Sequence, residues 1–357
     1  MHLFEHEAKS ILKKFGLPFL KFGVAEDLQQ VENIIKRLKL NIAVLKLATK
    51  HQPIKELVAE SHEDILKKAY ILFKSPYMLE HTQVQKKPNR KIMLTEAVDI
   101  LEEYQLKIYL DPKYNRRIVL IKHLDKQFEL FVPDFKIAQF QFLQAKKLFG
   151  WDENTACQVR KIIENCLAGY KTLDCLEIDI PSLAKTRQGF FVLNCNMRID
   201  NCALFRQEEV AALFDPDHEL LENVIAKEYG IDFFPLKGNC ACICNGQGLS
   251  LATLDVMKQQ EIKPANYLNI KKPNFEQLFA ALRIVELNPA IQKIFIHLFC
   301  QEPAKGVMKH VQNVIKEMKI KKPVIVRLQG KGAKEAVKKD PHFFEDMKLA
   351  LKVLKNV

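Results

Sequence analysis

Apolar positions recur every three to four residues over 3–15, over 27–39 ("DLQQVENIIKRLK") and through "SHEDILKKAYILF", predicting three amphipathic helices. The last opens with Ser61 and Glu63, the side-chain chemistry of a helix start. Between the second and third, "IAVLKLA" at 42–48 reads as a strand. From 91 to 132 the rhythm shortens to strands: "KIMLTEAVDI", "QLKIYL", "RRIVLIKHL" and "QFELFV", with "DPKYN" (111–115) supplying a turn. Helices are expected over 137–148 and 153–171. A hairpin then pairs "LDCLEIDI" with "GFFVLNCN", turning through "PSLAKTRQ". Beyond "DFFPLKGN" (232–239) strands alternate with helices: "CACICN", a helix from 248, "EQLFAALRIV", "KIFIHLF", "AKGVMKHVQNVIKEM", "PVIVRL" and a last helix over 342–355. That alternation predicts a parallel, doubly wound sheet. The change of rhythm divides the chain into domains 1–235 and 236–357.

Composition narrows the class. A chain of 357 residues is long for one core, and 48% hydrophobic with 27% charged is ordinary for a globular protein. No apolar run reaches the roughly 20 residues of a membrane helix, so no membrane partner is expected. "MHLFEHEAKSILKKFG" is an amphipathic helix with acids, unlike a secretory signal or transit peptide. Nine cysteines, an odd number without a paired pattern, fit a reducing compartment, and a cytoplasmic protein is expected. The net charge of +12 favours phosphates or acidic partners, but the lysines are dispersed and no nucleic-acid signature is present. Only 12 glycines occur, about half the usual ~7%. Something normally glycine-rich is missing.

Candidate chemistry begins at "CLEIDIPS". Glu177 and Asp179, two apart in a strand, share a face. With Asn194 on the partner strand and Asp200 beyond it, they could offer oxygens to Mg²⁺, which wants about six and keeps several waters. The alternative is a structural pair salt-bridged to lysine. Cys240, Cys242 and Cys244 alternate on one strand face, better suited to small buried hydrophobes than to the C-x₂-C spacing of zinc sites. "NGQG" at 245–248 lies between strand and helix, where backbone amides favour an anion. At "CQEP", 300–303, a strand end meets no glycine, one missing amide and a negative charge, a poor anion cradle.

Several stretches carry a resemblance along nearly the whole chain. "HEAKSILKKFGLP", "CALFRQEE", "CICNGQGLSLATLDVMK", "PANYLNI" and "PVIVRLQGKGAKEA" resemble the β subunit of succinyl-CoA synthetase, in order and with few gaps. The resemblance implies an N-terminal ATP-grasp domain followed by a flavodoxin-like domain. It also implies ATP or GTP with Mg²⁺ as cofactors, and a separate α subunit whose phosphohistidine carries the phosphoryl group. No catalytic histidine is then expected here. Position by position, the family's nucleotide-binding lysine falls on Lys46. Its adenine-side Glu aligns ungapped with Thr95, or with Glu96 after a one-residue shift, and Glu103 matches the following Glu. The Mg²⁺ ligands fall on Asp179 and Asn194 with their types exchanged, and the succinate-contacting Asn on Asn245. The family's Gly-Gly-Arg-Gly phosphate loop is replaced by "ATKHQPIKEL", its Gly-Gly-Gly-Ala-Thr turn by "KKPNF" (271–275), and its Gly-Gly-Ile-Val loop by "CQEP". Gln301 and Glu302 therefore stand where backbone would meet the substrate, and side chains fill space that glycine leaves open.

Three functions compete. One is an active nucleotide-dependent acid–CoA ligase subunit. Another is a paralogue retaining fold, Mg-nucleotide binding and α-subunit association but impaired in phosphoryl relay. The third is a ligase for a different acid, with Lys271 and Lys272 as carboxylate donors. Loss at three separate loops favours the impaired paralogue.

Overall fold

The computed structural model describes residues 1–48, 56–74, 91–111, 115–216 and 219–357. Most of the "DPKYN" turn and most of the "ATKHQPIKEL" stretch lie outside the described residues. The chain forms two compact units, Met1–His218 and Glu219–Val357. This division precedes the one expected at 235/236, because Asp232–Pro235 pairs as an edge strand with Asn266–Ile270 of the second unit.

The first unit opens with helix α1 (Glu5–Lys13), strand β1 (Phe22–Ala25), helix α2 (Leu28–Leu38), strands β2 (Ala43–Leu47) and β3 (Leu57–Ala59), helix α3 (His62–Lys74) and strand β4 (Ile92–Glu96). The four strands form one antiparallel sheet in the order β1-β4-β2-β3. Ala43, Leu45, Leu47, Ile92 and Leu94 pack on one face of it against Val31, Ile34 and Ile35 of α2 and Ile65 and Ala69 of α3. Period-two alternation therefore turns Lys46, Met93 and Thr95 to the other face.

The rest of this unit is a five-stranded antiparallel sheet, in the order β7-β6-β5-β8-β9. Its strands are β5 (Glu102–Asp111), β6 (Arg116–His123), β7 (Lys126–Phe131), β8 (Cys175–Thr186) and β9 (Gly189–Ile199). Helices α4 (Gln139–Phe149) and α5 (Glu153–Thr172) cover one face, packing Phe142, Val159 and Ile163 with Ile108, Ile178, Ile180 and Met197. "PSLAKTRQ" is not the hairpin turn that its Pro and Ser suggest. Strand β8 continues to Thr186 and the chain turns at Arg187 and Gln188. Register slips between Asp179 and Ser182 absorb Pro181, which has no N–H to give a regular ladder.

After the short helix α6 (Glu208–Ala211), the second unit holds α7 (Leu221–Glu228), β10 (Asp232–Pro235), β11 (Cys240–Asn245), α8 (Gln247–Gln259), β12 (Asn266–Ile270) and α9 (Phe275–Glu286). It continues through β13 (Lys293–Cys300), α10 (Ala304–Glu317), β14 (Val324–Gly330), α11 (Ala333–Val337), β15 (Phe343–Phe344) and α12 (Met347–Asn356). The sheet order is β10-β12-β11-β13-β14-β15, parallel except for the edge strand β10. Without β10 this is the flavodoxin-like winding 2-1-3-4-5. Alternate residues of β11 divide between two cores. Ala241 and Ile243 join α9 and α10, while Cys240, Cys242 and Cys244 join Met257 of α8 and Leu351 of α12. Gly330 is one of the glycines the chain retains, at φ +109, where a Cβ would stand 2.3 Å from the Cys300 carbonyl oxygen. No helix among the described residues is long and apolar enough to cross a membrane.

Candidate nucleotide site and strand-end donors

In the first unit, the polar face of the four-stranded sheet carries a buried ammonium. Lys46 is 3% exposed, and its Nζ lies 2.8 Å from Glu5 Oε1 and 3.3 Å from Glu56 Oε1, and donates to Asn194 Oδ1. Glu5 Oε1 also takes Lys9 Nζ at 3.0 Å, and Lys9 is 1% exposed. Burial lowers the Lys9 pKa, which Glu5 opposes. Two cations and two carboxylates thus neutralise one another where unpaired charge would be prohibitive. These groups come from α1, β2, the residue before β3, and β9. The structure therefore unites Lys46 with Asn194, two positions read from separate motifs. It adds Glu5 and Glu56, which no local pattern signals.

Glu177 and Asp179 lie on the face of β8 opposite the core formed by Ile178 and Ile180, rather than beside it. Glu177 pairs with Lys107 at 3.1 Å and Arg198 at 3.8 Å, so lysine and arginine neutralise it. Asp179 stands opposite Asn196 on β9 and Lys107 on β5. Burial raises its pKa, opposed by Lys107 and by the hydrogen bond to Asn196. Asn194 lies two residues along β9 from Asn196, on the same face, so Asp179 and Asn194 are diagonal neighbours, not a facing pair. Among the described residues no group of three or more His, Cys, Asp or Glu is arranged to hold a metal. A carboxylate and an amide oxygen on one face still fit a Mg²⁺ that arrives on nucleotide phosphates and needs only one or two protein ligands.

Thr95 shares the Lys46 face, and its buried Oγ1 has no hydrogen-bond partner among the described residues. Glu96, one residue on, alternates to the other face and sits 3.8 Å from Lys21 Nζ. Glu103 is exposed, and its backbone carbonyl meets His123 Nδ1 at 2.8 Å. Neither glutamate is among the described groups that touch Lys46.

The strand ends of the second unit behave differently. Asn245 Nδ2 donates to the Phe299 carbonyl at 2.9 Å, and its Oδ1 accepts from Phe299 N–H at 2.7 Å. Both ends of the amide are occupied. The Gly246 N–H donates to Asn269 Oδ1 at 2.6 Å, and Asn269 donates in turn to Asp232. In "KKPNF", the N–H groups of Lys271 and Lys272 donate to Gln277 Oε1 at 2.8 and 2.9 Å. A side-chain oxygen thus sits where a turn before a helix otherwise receives an anion. Gln301 and Glu302 are exposed at the end of β13.

The cysteines of β11 are structural. Cys240, Cys242 and Cys244 are buried, with Cys242 and Cys244 sulfurs 3.6 Å apart, and burial contributes to holding the Cys240 and Cys242 thiols protonated. Nearby, His297 is 3% exposed with a pKa pushed down to about 3 by burial and by Arg327. Thr253 Oγ1 donates to the Leu249 carbonyl, so it accepts from His297 Nδ1–H at 2.8 Å, while Arg327 donates to Nε2. The ring is fixed as the neutral Nδ1–H tautomer.

Residues 2–124 match the ATP-grasp domain family. The chain is 28% identical to the β subunit of ADP-forming succinate–CoA ligase of Chlamydia abortus, covering 92% of this chain and 91% of that one. The corresponding subunit of Chlamydia trachomatis is 29% identical over the same shares. Among solved structures, ATP citrate lyase of Methanosaeta concilii with (3S)-citryl-CoA aligns over 94% of this chain and 91% of its own, at 14% identity and TM-score 0.57. ATP citrate lyase of Methanothrix soehngenii with citrate and coenzyme A aligns at 15% identity and TM-score 0.56, over 94% and 92% of the two chains. These two likenesses concern the fold. The chain is thus similar to the ATP-grasp domain family over residues 2–124 and, over 92% of its length, to the β subunit of succinate–CoA ligase.

Proposed function

We propose that this chain is a β-type acid–CoA ligase subunit that still binds Mg-nucleotide but is impaired in phosphoryl relay and carboxylate activation. The observation that carries the second half is the closure of the strand-end donors. The Gly246 N–H and the Lys271 and Lys272 N–H groups are taken up within the chain, and the Asn245 amide is held at both ends by Phe299, with one N–H left over. A carboxylate or phosphorylated segment entering there would have to break those bonds first. "CQEP" adds a proline without an N–H and an exposed Glu302 that repels anions.

The first half rests on Lys46, whose ammonium would neutralise nucleotide phosphates once a present partner turns away, with Asp179 giving Mg²⁺ a carboxylate oxygen and Asn194 Oδ1, which now accepts from Lys46, an amide oxygen. The ion supplies charge neutralisation of the polyphosphate. Thr95 on the Lys46 face is better placed than Glu96 to meet the base, and Glu103 lies at the start of β5, in the other sheet. ATP and GTP are both admissible. Association with an α subunit is supported by the intact "CALFRQ" stretch, in which Phe205 is 78% exposed. Nine free cysteines fit the cytoplasm.

Co-expression with an α subunit from the same source tests the reading, by assaying succinate- and CoA-dependent ADP or GDP formation. A stable complex without turnover is expected. Turnover abolished by Lys46→Ala would show the glycine loops to be dispensable and establish an active ligase.

A further inference from the structure

We propose that Glu56 is a built-in competitor for anions at Lys46, its carboxylate occupying a face of the ammonium that a phosphate would otherwise take. The inference deepens the reading of Lys46 as a phosphate-binding group and rests on it. An ammonium has three donors, and Lys46 has three oxygen partners: Glu5, Glu56 and Asn194. A phosphate oxygen must displace one of them.

The three are not equally displaceable. Glu5 is 12% exposed and holds Lys9 as well as Lys46, so its departure would strand two buried cations. Asn194 is fixed on the β9 ladder and donates from Nδ2 to Glu56 Oε1 at 3.2 Å, a bond that Glu56 also gives up on leaving. Glu56 makes the longer of the two carboxylate contacts, at 3.3 Å against 2.8 Å, and its side chain is 40% exposed. It can turn into water, where its charge is solvated and the lost ion pair is weak.

Charge counting agrees. Lys9 and Lys46 against Glu5 and Glu56 leave the cluster neutral, so an arriving polyphosphate meets no net attraction. With Glu56 turned out, one positive charge is uncovered beside Asn194. The ligand chemistry is a phosphate-type anion, and it could come from a nucleotide polyphosphate or from free pyrophosphate.

Calorimetric titration of the full chain with inorganic pyrophosphate, and separately with ATP and Mg²⁺, tests this. Glu56→Gln keeps the hydrogen-bonding shape and removes the charge. It is expected to bind pyrophosphate roughly three- to tenfold more tightly than the native chain, and Glu56→Ala, as a second variant, should show the same direction. Adding Lys46→Met to Glu56→Gln should abolish the gain. Pyrophosphate affinity that is unchanged or weaker in both Glu56 variants, including absence of binding throughout, overturns the proposal. ATP binding by the native chain without any Glu56 effect would remove this inference and leave the nucleotide reading standing. A pyrophosphate gain without ATP binding would do the reverse.

Discussion

The two units spend their polar groups in opposite ways. In the first, polar side chains from three separate segments converge on the buried Lys46, with Glu56 still in reach of water. In the second, the donors at the strand ends are turned inward and satisfied by the chain's own oxygens. Both units keep the fold of their relatives. In the first, burying Lys9 and Lys46 side by side is unfavourable in itself and is offset within the chain by Glu5 and Glu56. Hydrogen-bond closure in the second unit stabilises the fold and leaves less for a substrate to gain.

The largest expected effect comes from removing Glu5. Glu5→Ala leaves Lys9 and Lys46 buried without their shared carboxylate and should destabilise the first unit by about 3–5 kcal/mol, measured by denaturant unfolding. A change within a few tenths of a kcal/mol would mean that the cluster is solvated, and the contrast between the units would fail.

Next is the pH dependence of the second unit. His297 is neutral when folded, with a pKa of about 3, against 6.5 in the unfolded chain. Above pH 6.5 its contribution to stability is complete. As pH falls below 6.5 the unfolded chain takes up a proton that the folded one refuses, so stability declines toward pH 3, by a few kcal/mol in all. Unfolding curves across that window should flatten in His297→Gln. An equal slope in the variant would place the titration elsewhere.

Smaller effects probe the closed donors directly. Gln277→Ala removes bonds to Lys271, Lys272 and the Tyr229 carbonyl and should cost about 1–2 kcal/mol. Asn245→Ala breaks a paired contact at an exposed strand end and should cost about 1 kcal/mol. If either variant proved as stable as the native chain, those donors would be free for substrate after all.

Much of the fold was legible because burial writes period-two and period-3.6 patterns into the chain. β11, β13 and β14 and their helices follow the expected alternation, whereas the strand β12 (Asn266–Ile270) was not expected, and the thiols of Cys240, Cys242 and Cys244 lie in the core. The hairpin turn was not legible, since Pro181 looks like a turn residue but sits at a slip in the β8 register. The division between units was hidden because β10 is a short edge strand, separated from its partner β12 by β11 in the chain. At the site, Lys46 and Asn194 were recognisable from motifs, but their contact spans 148 residues, and Glu5 and Glu56 carry no local signature. The faces of Thr95 and Glu96 follow from strand phase, which an alignment uncertain by one residue cannot supply. The closure at Asn245 depends on Phe299, a partner 54 residues away.

The central claim is that nucleotide binding has outlived phosphoryl relay. Its most direct measurement is transfer of label from γ-labelled ATP, with Mg²⁺, to the α subunit in the co-purified complex, alongside calorimetric binding of the same nucleotide. The account predicts binding that Lys46→Ala removes and no label on the α subunit. Label appearing on the α subunit, and lost with Lys46→Ala, would contradict it.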